Sequence, residues 1–367
     1  MQFTPKRTRA GVSLASGLCL AAGFGAGAIM APSEALADWE PERPIEFVIQ
    51  TSPGGGSDRY ARMWIGIIEQ YDLSPVPITP VNMPGGAGAV ALTYLFAQDG
   101  DPHYITPTLN SLVTTPLQHQ LPVMYPSEDL TPIVKMMMDP FQLWTNREFF
   151  ETWEEFHERC QEERLDTLGT GARQEDEIQL ELLWRAADCE PFRYVPAAGG
   201  GDVAAGVAGG HQHINVNQPA EAMPHYPETM IPLVNFAQER FEAFADYPTH
   251  WELGIGVDKE VPGIDATYAE LLDLETGLHQ MRGIIGAPNL SDEALEWWEN
   301  LWRQVWETDE WQQFMRDNAM TPVFMGPAEY REWMIPFEDF HMQVMQDVFE
   351  WELRPDIMTR EERRAEN

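Results

Sequence analysis

Four glycine-rich turns hold the residues best suited to chemistry in this chain. They are Thr51-Ser52-Pro53-Gly54-Gly55-Gly56-Ser57-Asp58, Asn82-Met83-Pro84-Gly85-Gly86-Ala87-Gly88, Gly169-Thr170-Gly171-Ala172-Arg173-Gln174-Glu175-Asp176 and Pro196-Ala197-Ala198-Gly199-Gly200-Gly201-Asp202. Glycine lets the backbone approach an anion closely, and a helix start offers unpaired N–H groups and a positive dipole end. Four such turns can surround a small polyanion with few cationic side chains. Arg173 is the candidate for charge, because its fork can grip a carboxylate in two places. The alternative for Arg173 is a surface pair with Glu175 or Glu177. Asp58 reads as a cap for the helix behind its turn. Glu175 and Asp176 could meet a ligand hydroxyl or amine, or serve only as first-turn acids.

Other chemistries find less support. Gly86-x-Gly88-x-x-Ala91 fits a dinucleotide-binding pattern with alanine in the last place, but Pro84 sits beside it and no acid follows at the expected spacing. No Gly-Lys-Ser/Thr run exists for a phosphate loop. His211-x-His213 would share one face of a strand, yet no nearby cysteine or third histidine completes a metal site. No nucleophile elbow occurs, so the chain reads as a non-enzyme with no cofactor.

The elements around the turns follow one grammar. Ile45 to Gln50 and Val76 to Val81 read as strands, each running through a glycine turn into a helix. Leu165 to Leu168, Phe192 to Val195 and His213 to Val216 repeat the pattern, the last ending in Asn217-Gln218-Pro219-Ala220-Glu221. Such turns lie at strand carboxyl ends, where open α/β sheets bind ligands. Near the C-terminus Ser291 can cap a helix with Asp292 and Glu293 in its first turn. Its apolar stripe is Leu295, Trp298, Leu301, Trp302, Val305 and Trp306, read as core.

The N-terminus reads as an export signal. Lys6, Arg7 and Arg9 precede an uncharged run from Ala10 to Ala31, and Ala35-Leu36-Ala37 supplies a cleavage site. A membrane anchor is the alternative, disfavoured by the Gly, Ala and Ser content. The 367 residues hold 23 Lys+Arg against 59 Asp+Glu, a net charge of −36. Residues 1–37 contain three bases and one acid, so the expected mature chain keeps 20 bases against 58 acids, or −38. That excludes nucleic acid as a partner and suggests adaptation to a salty medium, with an ordinary acidic secreted protein as the alternative. Cys160 and Cys189 can bridge in an oxidising compartment; two buried thiols are the alternative.

The stretch PERPIEFVIQTSPGGGSD resembles the start of the tripartite tricarboxylate transporter receptors, the Bug or TctC family of extracytoplasmic solute receptors. VNMPGGAGAVAL, TGARQEDEI, YVPAAGGGDVAAGVAGGH, NVNQPAEAMP, DEWQQFMRDNAM and VFMGPAEYREWM continue the likeness in family order over nearly the whole expected mature chain. The resemblance implies a type II periplasmic-binding fold, two α/β lobes closing on a small organic anion. It implies lobe one from 38–142 and 284–367, and lobe two from 143–283. It further implies delivery of the solute to a large and a small membrane subunit; the export signal implies a periplasmic location, and a monomer is the default expectation. The implied contacts are Pro53, Gly54, Gly55, Gly56, Ser57 and Asp58, then Met83, Pro84, Gly85, Gly86, Ala87 and Gly88. From lobe two come Thr170, Gly171, Arg173, Gln174 and Asp176, with Gly199, Gly200, Gly201 and Asn217. Met83 stands where many relatives carry arginine, and Ala197 and Ala198 replace an aromatic and a basic residue, so a tricarboxylate does not follow. An enzyme on a similar two-lobed fold, or a solute sensor not coupled to transport, are the rival readings.

Overall fold

Eleven strands carry the described chain into two sheets. They are β1 (Ile45–Ile49), β2 (Ile78–Asn82), β3 (Tyr104–Pro107), β4 (Thr131–Asp139), β5 (Gln142–Asn146), β6 (Asp166–Gly169), β7 (Arg193–Pro196), β8 (Ile214–Asn217), β9 (Met230–Asn235), β10 (Gln280–Gly286) and β11 (Thr321–Met325). This computed structural model describes residues 39–366 except 198, 275 and 276. The expected signal and its cleavage point after Ala37 therefore lie outside the described residues.

The first sheet runs β11-β4-β10-β3-β1-β2, and the second β7-β6-β8-β5-β9. Within them β1 pairs parallel with β2 and β3, and β6 pairs parallel with β7 and β8. A parallel strand needs a crossover, and each glycine turn starts one. The arrangement is α/β with two lobes. The chain leaves the first sheet at Asp139, enters the second at Gln142 and returns with β10 at Gln280, ahead of the division expected at 283/284. β10 is buried throughout and has no turn residue at its start to mark the crossing. The two crossings are tied together by the Phe141 N–H, which donates to His279 Nδ1 at 2.9 Å. Asn110 buttresses them, donating to His279 O at 3.0 Å and accepting from the Met281 N–H at 3.0 Å.

Three helices begin earlier than their apolar spacing suggests, at Gly56, Glu175 and Gly200. The turn residues themselves form the first helical turn, so turn amides are the unpaired donors of the helix start. The helix Asp292–Glu307 is capped by the Ser291 hydroxyl, which accepts from the Ala294 N–H. Its Trp298, Leu301, Trp302 and Val305 are buried, and Trp302 packs edge-on to Trp64 at 5.6 Å. Each such side chain contributes about 1.5–3 kcal/mol by leaving water, so the stripe is core. Cys160 and Cys189 form a disulfide that ties the helix Trp153–Glu162 to the segment entering β7. No helix among the described residues is long and apolar enough to cross a membrane.

Candidate functional site

The glycine turns of both sheets converge on a cavity of about 350 Å³. The turn after β1 is held by Asp58, which accepts from the Gly54 N–H at 2.8 Å, from Arg62 Nε at 2.9 Å and from Asn82 Nδ2 at 2.9 Å. Asp58 therefore braces the turn and ties it to the end of β2. The helix cap is instead Gly55, which has no side chain to cap with. Burial raises the Asp58 carboxyl, but the Arg62, Gly54 and Asn82 hydrogen bonds together bring it below its ordinary value.

The turn after β2 needs its glycines. Gly85, Gly86, Ala87 and Gly88 have φ of 137°, 56°, 52° and 98° in succession, a left-handed run that side chains resist. Ala87 is held in it by the Thr115 hydroxyl, which donates to Ala87 O at 2.8 Å.

In the second lobe, Asp176 repeats the brace, accepting from the Thr170 N–H at 2.6 Å and the Thr170 hydroxyl at 3.0 Å. Burial pushes its carboxyl up to about 7, the adjoining Glu175 adds to the push, and Thr170 pulls it back. Asn217 Nδ2 donates to Gly200 O at 3.0 Å and so fixes the fourth turn to the end of β8.

The residues expected from sequence divide at this cavity. Gly55, Gly56, Ser57, Pro84, Gly85, Ala87 and Gly88 line it from the first lobe. Thr170, Gln174, Asp176, Gly199, Gly200 and Asn217 line it from the second. Pro53, Gly54, Asp58, Met83, Gly86, Gly171, Arg173 and Gly201 are not part of the lining. Arg173 in particular turns away: its guanidinium donates to Glu352 O at 2.7 Å and lies 5.9 Å from the Trp351 ring. Of the surface pairing weighed for it, Glu177 is a contact, but through the Arg173 backbone N–H, which donates to the Glu177 carboxylate, and not through the guanidinium.

The basic side chain that does line the cavity is Arg282, from β10. It is 3% exposed, and its Nε and Nη2 donate to Asp139 Oδ2 at 3.1 and 3.0 Å. The Tyr60 hydroxyl donates to the same oxygen at 2.8 Å. Burial raises the Asp139 carboxyl, and Arg282 and Tyr60 offset part of that. Glu221 also lines the cavity, its carboxyl pushed up to about 7 by burial while Arg282 pulls it back. Neither residue was among the expected contacts. The available signal was an arginine and an aspartate inside the apolar runs QMRGIIG and IVKMMMD, where a charge is costly unless paired.

The lobes meet directly across the cavity. Arg59 donates to Ala220 O at 2.9 Å, Thr114 Oγ1 to Gln174 Oε1 at 3.1 Å, and Gln118 Nε2 to Arg173 O at 3.1 Å. A site assembled from both lobes is sensitive to their relative position, which is the physical basis of a closing receptor. His213, of the His-x-His pair, is occupied structurally, its Nδ1 accepting from the Asp166 N–H at 3.0 Å.

Two α/β sheets joined by paired crossings, with the ligand-sized cavity between them, define the two-lobed periplasmic solute-binding fold. MatC of Rhodopseudomonas palustris with bound malate shares it at a TM-score of 0.68 and 18% identity, covering 83% of this chain and 99% of MatC. A second R. palustris protein, solved with adipate, gives a TM-score of 0.71 at 16% identity over 84% and 98% of the two chains. The periplasmic binding protein BugD gives 0.71 at 14% identity, again over 84% and 98%. No family model matches the chain, and no curated protein matches its sequence significantly.

Proposed function

We propose that this protein is an extracytoplasmic solute receptor of the tripartite tricarboxylate kind, which captures a small carboxylate-bearing solute and hands it to a large and a small membrane subunit. The observation that carries the reading is the convergence of two first-lobe and two second-lobe glycine turns on one cavity, with Arg282 as its basic side chain. Backbone N–H groups at the helix starts Gly56 and Gly200 supply local positive potential that the acidic chain as a whole does not. The structural neighbours solved with malate and adipate carry dicarboxylates, and the cavity volume falls in the range of small-ligand sites.

The export signal expected at the N-terminus fits a periplasmic receptor. For the enzyme alternative, a reactive pair is needed; the cavity-lining Ser52, Ser57 and Ser111 share their cavity with no histidine among the described residues. A thermal-shift screen of the purified protein against mono-, di- and tricarboxylates tests the proposal. A bound acid at a hundredfold excess over Kd adds about 2.7 kcal/mol of stability and raises Tm. Tm unmoved by every carboxylate-bearing compound would refute it.

A further inference from the structure

The cavity holds more carboxyl groups than a simple carboxylate receptor needs. Glu175, Asp176 and Glu221 line it, with exposures of 5%, 2% and 7%. Among the described residues none of the three forms an ion pair, and Arg282 already serves Asp139. Asp176 is committed to Thr170 and also accepts from the Tyr194 hydroxyl at 3.2 Å. Glu175 is not fully committed. Its Oε1 accepts from Gln280 Nε2 at 3.0 Å, while its Oε2 is buried with no hydrogen-bond partner. A buried carboxylate oxygen without a donor is costly, and it marks where a donor belongs.

Glu221 lines the same cavity. It extends from the turn after β8 to the glycines of both lobes: a β-carbon on Gly56 would fall 2.7 Å from its Oε1, and one on Gly200 only 1.6 Å from its Oε2. Both helix starts are therefore shaped around this side chain. Its charged form is opposed by burial and by Asp139, and is supported by Arg282, Arg59 and the Gly56 amide.

We propose that the solute carries a primary ammonium group beside its carboxylate, with Glu175 and Glu221 receiving the ammonium and the glycine turns and Arg282 receiving the carboxylate. The proposal rests on the receptor reading above. An ammonium has three donors and no acceptor, which matches the unpartnered Glu175 oxygen and the Glu221 carboxylate together. It also adds counter-charge beside acids whose charged forms burial opposes, whereas a plain dianion would place like charges in one cavity. A quaternary nitrogen brings the charge but no N–H for Glu175.

The test is titration calorimetry of the purified protein with matched acids: aspartate against succinate, 4-aminobutyrate against butyrate, and glycine betaine. The expected result is that an amino-bearing acid binds at least about tenfold more tightly than its amine-free match and than betaine. Glu175→Gln and Glu221→Gln should each weaken the amino acid by about tenfold to a hundredfold, while leaving the amine-free acid unchanged or tighter. The ranking on the unaltered protein stands whether or not a variant folds. Succinate or butyrate binding as tightly as its amino counterpart would overturn this proposal and leave the receptor reading intact. Failure of all five to bind would overturn this proposal, and the receptor reading with it only where the wider carboxylate screen is silent too.

Discussion

Arg282→Met should destabilise the protein severely, and the structure sets the size. Asp139 is 0% exposed and Arg282 is 3% exposed. With the guanidinium gone, Asp139 keeps only the Tyr60 hydroxyl, and its Oδ1 already lacks a partner. Removing one member of a buried ion pair costs about 3–5 kcal/mol, because the other charge is left uncompensated. The assay is urea unfolding followed by tryptophan fluorescence at pH 7. Arg282→Met combined with Asp139→Asn removes the stranded charge, so the double variant should recover most of the loss. The pH dependence has a definite sign. Burial already raises Asp139 in the folded protein, and losing Arg282 raises it further, so the variant's deficit shrinks as pH falls through that folded value. The same substitution should abolish carboxylate binding, while Arg173→Ala, whose guanidinium meets Glu352 O, retains it. A single variant that loses under about 1 kcal/mol, or a double variant no better than the single, would refute the reasoning.

Three further outcomes follow from buried or cross-linked groups. Lys135 is 2% exposed, its ammonium lies 3.2 Å from the centre of the Trp333 ring, and burial holds it well below the usual lysine range. Lys135→Met should therefore raise stability at pH 7 by about 1–3 kcal/mol in urea unfolding, an advantage that fades as pH rises through the unfolded lysine value. Replacing Cys160 and Cys189 by serine, which frees a loop with a sequence separation of 29, should cost about 3–4 kcal/mol, and reductant should bring the parent protein to the same urea midpoint. His279, which accepts from Phe141 at the crossings, is held down to about 4 by burial, with Leu272 O offsetting part of that. A depressed folded value means stability present above the unfolded histidine value and lost as pH falls. The parent should therefore lose about 3 kcal/mol more than His279→Gln between pH 6.5 and 4.

The turns were legible in the sequence and the charges were not. Glycine, proline and small residues punctuate short apolar runs, and that local grammar places Gly55, Gly56, Gly85 and Gly88 at strand ends, where the cavity lies. Helix starts were set late because apolar spacing begins a turn after the backbone does, as at Gly200 against Val203. Arg282 and Asp139 are 143 residues apart and meet because β10 returns to lie against β4. Nothing local announces that pairing. Arg173 looked like the ligand's cation because it sits among the turns. Its side chain is captured by the C-terminal segment, and its φ of 58° belongs to a left-handed position that reads from sequence as an ordinary turn residue. Glu221 followed Pro219 in an unremarkable helical start, and only the β8 turn geometry carries it to Gly56.

Amide hydrogen exchange with and without a stabilising carboxylate tests the central claim most directly. The account predicts slowed exchange at both lobes together: Gly55 to Ser57 and Gly85 to Gly88 on one side, Thr170 to Gln174 and Gly199 to Gly201 on the other. Protection confined to one lobe, or centred instead on the groove around Glu299, Arg303 and Glu329, would contradict it.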